Sequence, residues 1–465
     1  MGSYSRTAYM ALKVEVTENT AVKPNVFIPL MSEDINTEWG ATPAMPVSAN
    51  RAKNLRAIKT AIAAPTGTIN LLAEPTIMGY FLRGVFGAVT SGRWFPISSV
   101  TGTFTVGETV TGGTSSATAT VLAVSAEGDY LLMSAPSGTF TAAGEAITGG
   151  SSSATATLGV NASTVYGHEF KAPQSSLPTF TVEFGFDNEA YRYTGVRFNS
   201  LNSIAQSDNI VTAAIGFMAR AEFKHARVTA ITTAGSTKTI SVDQTTGLVA
   251  ADSIKIFRPS TGAFVESNTV ASITNEGAFV VATLSNNTAV GDLIVLAPQT
   301  PSYSVDKEFS WIGGSVARIG DTILATISAS AESIEDFELS MTNELESRHA
   351  ATGTNVINRF PAKNFLKGIE GNGSLTKTYI DQTFLDRLRN STQTAVRITH
   401  TGQQIASTGV YATLEWRVPA VVFGAFNPSL SEDDLLNQEM PFDMYYSSTY
   451  GYIGKAVLVN ATTSY

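Results

Sequence analysis

Residues 67–72 alternate apolar and polar positions behind a glycine and run at once into 75–86, where Pro75 suits a first helical turn and Ile77, Met78, Phe81, Leu82 and Val85 recur at the helical period. This pattern predicts a strand feeding a short amphipathic helix. The order returns late in the chain, with a glycine-led strand at 371–376 and then 379–388, where Ile380, Phe384, Leu385 and Leu388 share one side and Asp381, Asp386 and Arg387 the other. After a long excursion the front helix is followed by three alternating segments, at 179–184, 193–201 and 210–217. After the back helix three more arrive almost at once, at 395–399, 411–418 and 440–446. One unit is written twice, by pattern more than by identity.

Two stretches interrupt the repeat. Residues 94–170 hold no Lys or Arg and contain an imperfect duplication, 102–120 and 138–157, each reading as strand, Gly-Gly turn, strand. The second stretch, 227–298, also looks twofold, with 247–256 echoed by 288–296. The expected layout is a first unit at 1–92 and 166–225, an inserted β-repeat domain at 93–165, a small β domain at 226–304 and a second unit at 305–465. The back copy has only a few residues around 390–392 where the insertion stands, so the insertion should leave and rejoin at a surface loop without disturbing the core.

Composition narrows the function classes. At 465 residues the chain can bury several cores, yet charged residues are only 15% and the net charge is -9, which argues against binding nucleic acid by phosphate neutralisation. Cysteine is absent, excluding disulfides and thiolate chemistry. No export signal and no membrane-spanning run are expected from the pattern. His168, His225, His349 and His400 lack metal spacing and are expected at the surface or in loops. The Gly-Gly turns at 112–116 and 149–153 lack the Lys and following helix of a phosphate cradle, the Ala-Thr-Ala-Thr runs read as plain strand faces, and 431–436 reads as a capped helix start. No enzymatic activity, metal or cofactor is expected, since no catalytic or nucleotide motif is present. The Pro-rich stretch 19–49 is too long for an idle connection and is expected to be an arm that orders on a partner, with the fold surviving deletion of 19–48.

Residues 177–220, through PTFTVE at 178–183, YTG at 193–195, VRFNSL at 196–201 and NIVT at 209–212, resemble the tail tube (major tail) proteins of long-tailed bacteriophages. The back half is similar to them too, through DFELSMTNELE at 336–346, the strand and helix from Gly371, LEWRVP at 414–419 and VLVN at 457–460. The resemblance covers most of 8–92, 166–225 and 305–465 and leaves out both interruptions. It implies a mainly β chain of two tandem β-sandwich domains, each with a flanking short α-helix, beside the two small inserted β domains. It further implies homotrimeric, pseudo-hexameric rings stacked into a tube in the virion tail, assembled in the host cytoplasm. The implied partners are its own copies, the tape measure protein, the tail terminator, distal tail proteins, and double-stranded DNA passing without specific binding; no membrane is involved. Another virion β-protein, a head decoration or baseplate component, and a glycan-binding adhesin are the alternatives.

Alternation in 336–346 puts Phe337, Leu339 and Met341 on one face and Asp336, Glu338, Glu344 and Glu346 on the other. The acidic face is either an ordinary solvated one or the lining of a lumen, where like charge would keep DNA from adhering.

Overall fold

Threonine, valine and isoleucine at alternating positions favour extended backbone, and strands make up nearly all the regular structure. The computed structural model describes residues 8–44, 57–141, 143–173, 175–234, 237–284, 287–311, 315–320, 334–349, 361, 363–378, 389, 394–424, 427–429 and 437–465. The front of the chain forms β1 (Tyr9–Val14), β2 (Val26–Ile28), β3 (Ser32–Glu33), β4 (Trp39–Ala44), β5 (Ala57–Ile62) and β6 (Thr66–Leu72), which leads into α1 (Pro75–Phe86). Then follow β7 (Val89–Thr101), β8 (Thr109–Gly112), β9 (Thr118–Val124), β10 (Tyr130–Met133), β11 (Ala146–Gly149), β12 (Thr155–Leu158) and β13 (Tyr166–Ala172). The front part finishes with β14 (Phe180–Gly185), β15 (Ala190–Gln206), β16 (Thr212–Met218) and β17 (Ala221–Phe223). A middle group holds β18 (Ala226–Ala234), β19 (Thr237–Val242), β20 (Ser253–Arg258), β21 (Ala263–Asn275), β22 (Ala278–Val281) and β23 (Leu293–Leu296). The back part has β24 (Ser315–Gly320), β25 (Asp336–Arg348), β26 (Lys363–Thr378), β27 (Thr394–Gln404), β28 (Tyr411–Phe423), β29 (Asn427–Ser429), β30 (Asn437–Met444) and β31 (Gly454–Asn460). The second expected helix, 379–388, and the expected helix start at 431–436 lie outside the described residues. Among the described residues, no helix is long and apolar enough to cross a membrane.

In the front part β1, β14, β15, β16 and β6 pair in that order; in the back part β24, β27, β28, β30 and β26 pair in the same order, always antiparallel. Registers agree as well. Phe217 sits opposite both Gly67 and Phe198, and Phe442 sits opposite both Gly373 and Phe423. Each part also carries a long hairpin. Ser32 faces Asn70 and Ala44 faces Ala57 in the first, while Asp336 faces Thr376 and Arg348 faces Lys363 in the second.

The helix packs against β15, β13 and β31, and all five residues that set its period are at most 2% exposed. One apolar cluster runs through both parts, from Met10, Phe81 and Phe217 to Phe337, Trp416 and Leu458.

Both interruptions close into six-stranded antiparallel rings with cores of their own. The first runs β7, β10, β9, β8, β11, β12 and back to β7. The second runs β18, β19, β22, β21, β20, β23 and back to β18. Moving β18 to the end of its own order makes the two connectivities identical, so the barrels are circular permutants. A shared turn supports this relation: Glu108, Glu145, Asp252 and Asp292 each follow a residue with positive φ, namely Gly107, Gly144, Ala251 and Gly291. Each carboxylate accepts an N–H from three or four residues upstream, at Thr105, Thr141, Val249 and Ala289.

The structure departs from the sequence reading in several places. The insertion does more than leave and rejoin at a surface loop: Ala123, Tyr130 and Leu132 of its barrel share a buried apolar cluster with Val457 of β31. The turn before β10 is also held from the back part by Arg417, whose Nη1 donates to Glu127 at 2.6 Å and Nη2 to Asp129 at 2.7 Å. Of the stretch 19–49, the described part, 19–44, is not a detachable arm: β2 pairs with β1, Ile28 is fully buried and β3 pairs with β6, so deleting 19–48 would remove part of the core. In the Gly-Gly turns the left-handed residues are Ser116 and Ser153. Gly112 is needed for close approach, since a Cβ there would stand 2.5 Å from the Glu145 carboxylate. His168 and His400 are fully buried. Strand alternation turns them inward, where His168 contacts Ser91 through Nδ1 at 2.8 Å and the Thr462 carbonyl through Nε2 at 2.9 Å.

Candidate self-assembly face

The two parts meet edge to edge. β15 carries the front sheet, β25 opens the back one, and they pair from Ser200 opposite Thr342 to Gln206 opposite Asp336. Because β15 is long it serves two sheets: its first half pairs with β14 and β17, its second half with β16 and β25. The result is one continuous sheet in the order β3, β6, β16, β15, β25, β26, β30, with β29 beside β30 at the far margin.

Alternation gives this sheet two unlike faces. Ile69, Ile215, Leu201, Phe337, Leu339, Met341, Leu375, Met440 and Phe442 point into the core and are at most 2% exposed. The opposite face is small and polar, with Asn70, Ser200, Asn202, Asn372, Ser374 and Thr376 among its residues. It also carries Asp336, Glu338, Glu370, Glu439 and Asp443, and no Lys or Arg between the register positions Asp336–Thr376 and Thr342–Glu370.

Of the four acids singled out from the sequence, the structure keeps two on this face. Glu338 is exposed and accepts from Asn202 Nδ2 at 2.7 Å, while Asp336 accepts the Ser207 N–H at 3.1 Å. Glu344 and Glu346 lie beside a register shift between Asn343 and Leu345, on the outer end of the hairpin. There they are ion-paired: Lys367 reaches Glu344 at 3.2 Å and Glu346 at 2.9 Å, and Arg348 reaches Glu346 at 2.8 Å. Hydrogen bonds from Arg348 and Lys367 hold the Glu346 carboxyl down at about 2. These two acids are neutralised by neighbours, so the uncompensated negative charge belongs to Asp336 and Glu338 together with Glu370, Glu439 and Asp443.

The sequence reading missed Glu370, Glu439 and Asp443. Their signal was available as polar residues at every second position of 370–376 and as the acids that flank Met440-Pro441-Phe442, but which strands lie side by side is not a local property. The face can do two things physically: present a concentrated negative potential to a polyanion, and extend as a sheet at its two margins.

No protein-family model matches this chain, and no curated protein matches it.

Proposed function

We propose that the chain is a structural protein of a bacteriophage tail tube, whose copies close into rings and whose rings stack into a conduit for DNA. The reading takes the chain as two tandem β-sandwich domains, each with a flanking helix, carrying two accessory barrels. The observation that carries it is the seam between β15 and β25. Two stretches of chain with the same strand order and register are already fused there into one sheet, as neighbouring subunits of a ring would be. Three chains would supply six such units, and the polar face with its uncompensated acids would line the lumen. A negative lining without fixed cations neither neutralises phosphates nor retains the DNA that passes.

Negative-stain microscopy of the purified chain tests this. Rings or hollow rods of uniform width are expected, and a monodisperse globular particle at every concentration would rule the reading out.

A further inference from the structure

The seam inside the chain states how one copy should meet the next. Within the chain, the back hairpin β25–β26 lays β25 along β15 and covers residues beyond it. Arg197 donates to the Asn364 carbonyl, Arg220 Nε donates to the Pro361 carbonyl at 3.0 Å, and Arg197 is 7% exposed.

Among the described residues, the matching places at the far margin lack such a cover. Taking Phe198 with Phe423 and Phe217 with Phe442 as corresponding pairs, Arg197 corresponds to Val422, Arg220 to Tyr445 and Ala221 to Tyr446. Val422, Tyr445 and Tyr446 are 38%, 50% and 58% exposed. Apolar and aromatic groups thus stand open at the positions where, in the front part, Arg197 and Arg220 are tied to the hairpin of the other half. The front hairpin is the matching piece. Its β3 pairs with β6 as β25 pairs with β26, and Ser32, Glu33 and Asp34 are exposed along its outer side. Among the described residues β29 pairs with β30 alone, and Pro428 within it fits a strand at a sheet margin.

We infer that the front hairpin of one copy docks on the β29 margin of a second copy, with Asn36 opposite Asn427, Ile35 opposite Pro428, and the hairpin covering Val422, Tyr445 and Tyr446. The register is the internal one carried over: Asn202 opposite Ser340 and Ser203 opposite Leu339 map onto those pairs. This rests on the ring reading and deepens it by naming the two margins and their alignment. Backbone hydrogen bonds would supply generic affinity, and the aromatic cover would select the partner.

Cross-linking tests the inference, on a background that contains no cysteine. The full-length chain bearing Asn36→Cys and Asn427→Cys should, once assembled and oxidised, run as covalent multimers on a non-reducing gel. Asn202→Cys with Ser340→Cys, the internal counterpart, should close within one chain and serves as the geometric control. Tubes visible by microscopy with the control bond formed but no bond between chains would overturn this register and leave the ring reading standing. Absence of rings and rods from the unmodified chain would sink the ring reading and this inference with it. A second variant, Tyr445→Asp with Tyr446→Asp, changes only exposed positions; it should stay folded and raise the concentration needed for assembly by about tenfold or more. Assembly at the unmodified concentration would overturn the aromatic cover.

Discussion

Arg192 and Arg417 each stand six residues before a corresponding phenylalanine, Phe198 and Phe423, and each is about 1% exposed while gripping an acidic turn of a different barrel. Arg192 bonds Asp252 at 2.6 and 2.9 Å and the Gly247 carbonyl at 2.8 Å, with Glu183 at its other side. Arg417 bonds Glu127 and Asp129, and Lys455 adds contacts to Glu127 at 3.1 Å and Glu169 at 3.2 Å. One position in the repeated strand pattern thus fixes the accessory barrel in both halves. A buried arginine suits the task because its planar fork satisfies two carboxylates in one geometry.

Arg417→Met should leave buried Glu127 with Lys455 as its remaining cation and take a partner from Asp129, destabilising the attachment of the first barrel by about 3 kcal/mol. Hydrogen exchange should show the loss concentrated at residues 125–130. Arg192→Met should move the effect to 247–252 instead. Uniform loosening across the chain in both variants would contradict separate attachments.

Glu108 and Glu145 exchange turns across the first barrel: Glu108 accepts the Ser151 and Ser152 N–H groups, and Glu145 those of Thr114 and Ser115. Burial works against the charged form, but these amides and those of Thr105 and Thr141 outweigh it and hold both carboxyls at about 2. Folded values lie below the unfolded value of about 4.3, so the stabilisation is complete above that pH and is lost as pH falls towards 2. Glu145→Gln should reproduce the acid effect at neutral pH, costing about 1–3 kcal/mol. Exchange protection of the 113–117 amides measures it, and unchanged protection in the variant would disprove the role.

Burial pushes His168 and His400 down to about 4. Both are neutral when folded at neutral pH, and the unfolded chain binds their protons first. Stability should therefore be full above about 6.5 and decline as pH falls from there towards 4. Calorimetric melts at closely spaced pH values should show this slope in the native chain and a flatter one in His168→Gln with His400→Leu. Equal slopes would mean that other groups titrate.

Glu338→Lys with Glu370→Lys places cations on the polar sheet face without touching the core. On the tube reading, assembled tubes of this variant should retain DNA at low salt and release it as salt rises, while native tubes retain none. Retention equal in both would remove the acidic face from any part in DNA passage.

Sequence alone carried the local facts. Alternation in 336–346 named the buried Phe337, Leu339 and Met341, the spacing in 75–86 named the helix and its apolar residues, and the glycine-led strands exposed the repetition. These follow from side-chain periodicity, which a reader of consecutive residues can see. It misjudged residues whose environment comes from far along the chain. His168 and His400 read as surface groups, residues 19–49 read as an arm, and Arg192 and Arg417 carried no mark of burial.

What the chain's letters determined is which segments extend, which turn, and which face of each strand is oily. Only tertiary structure decided which edges meet: β15 with β25, β13 with β31, and the permuted strand orders of the two barrels. Edges are joined by backbone N–H and C=O groups that every residue carries alike, so their choice of partner is made by the packing of the whole sheet and leaves no local signature.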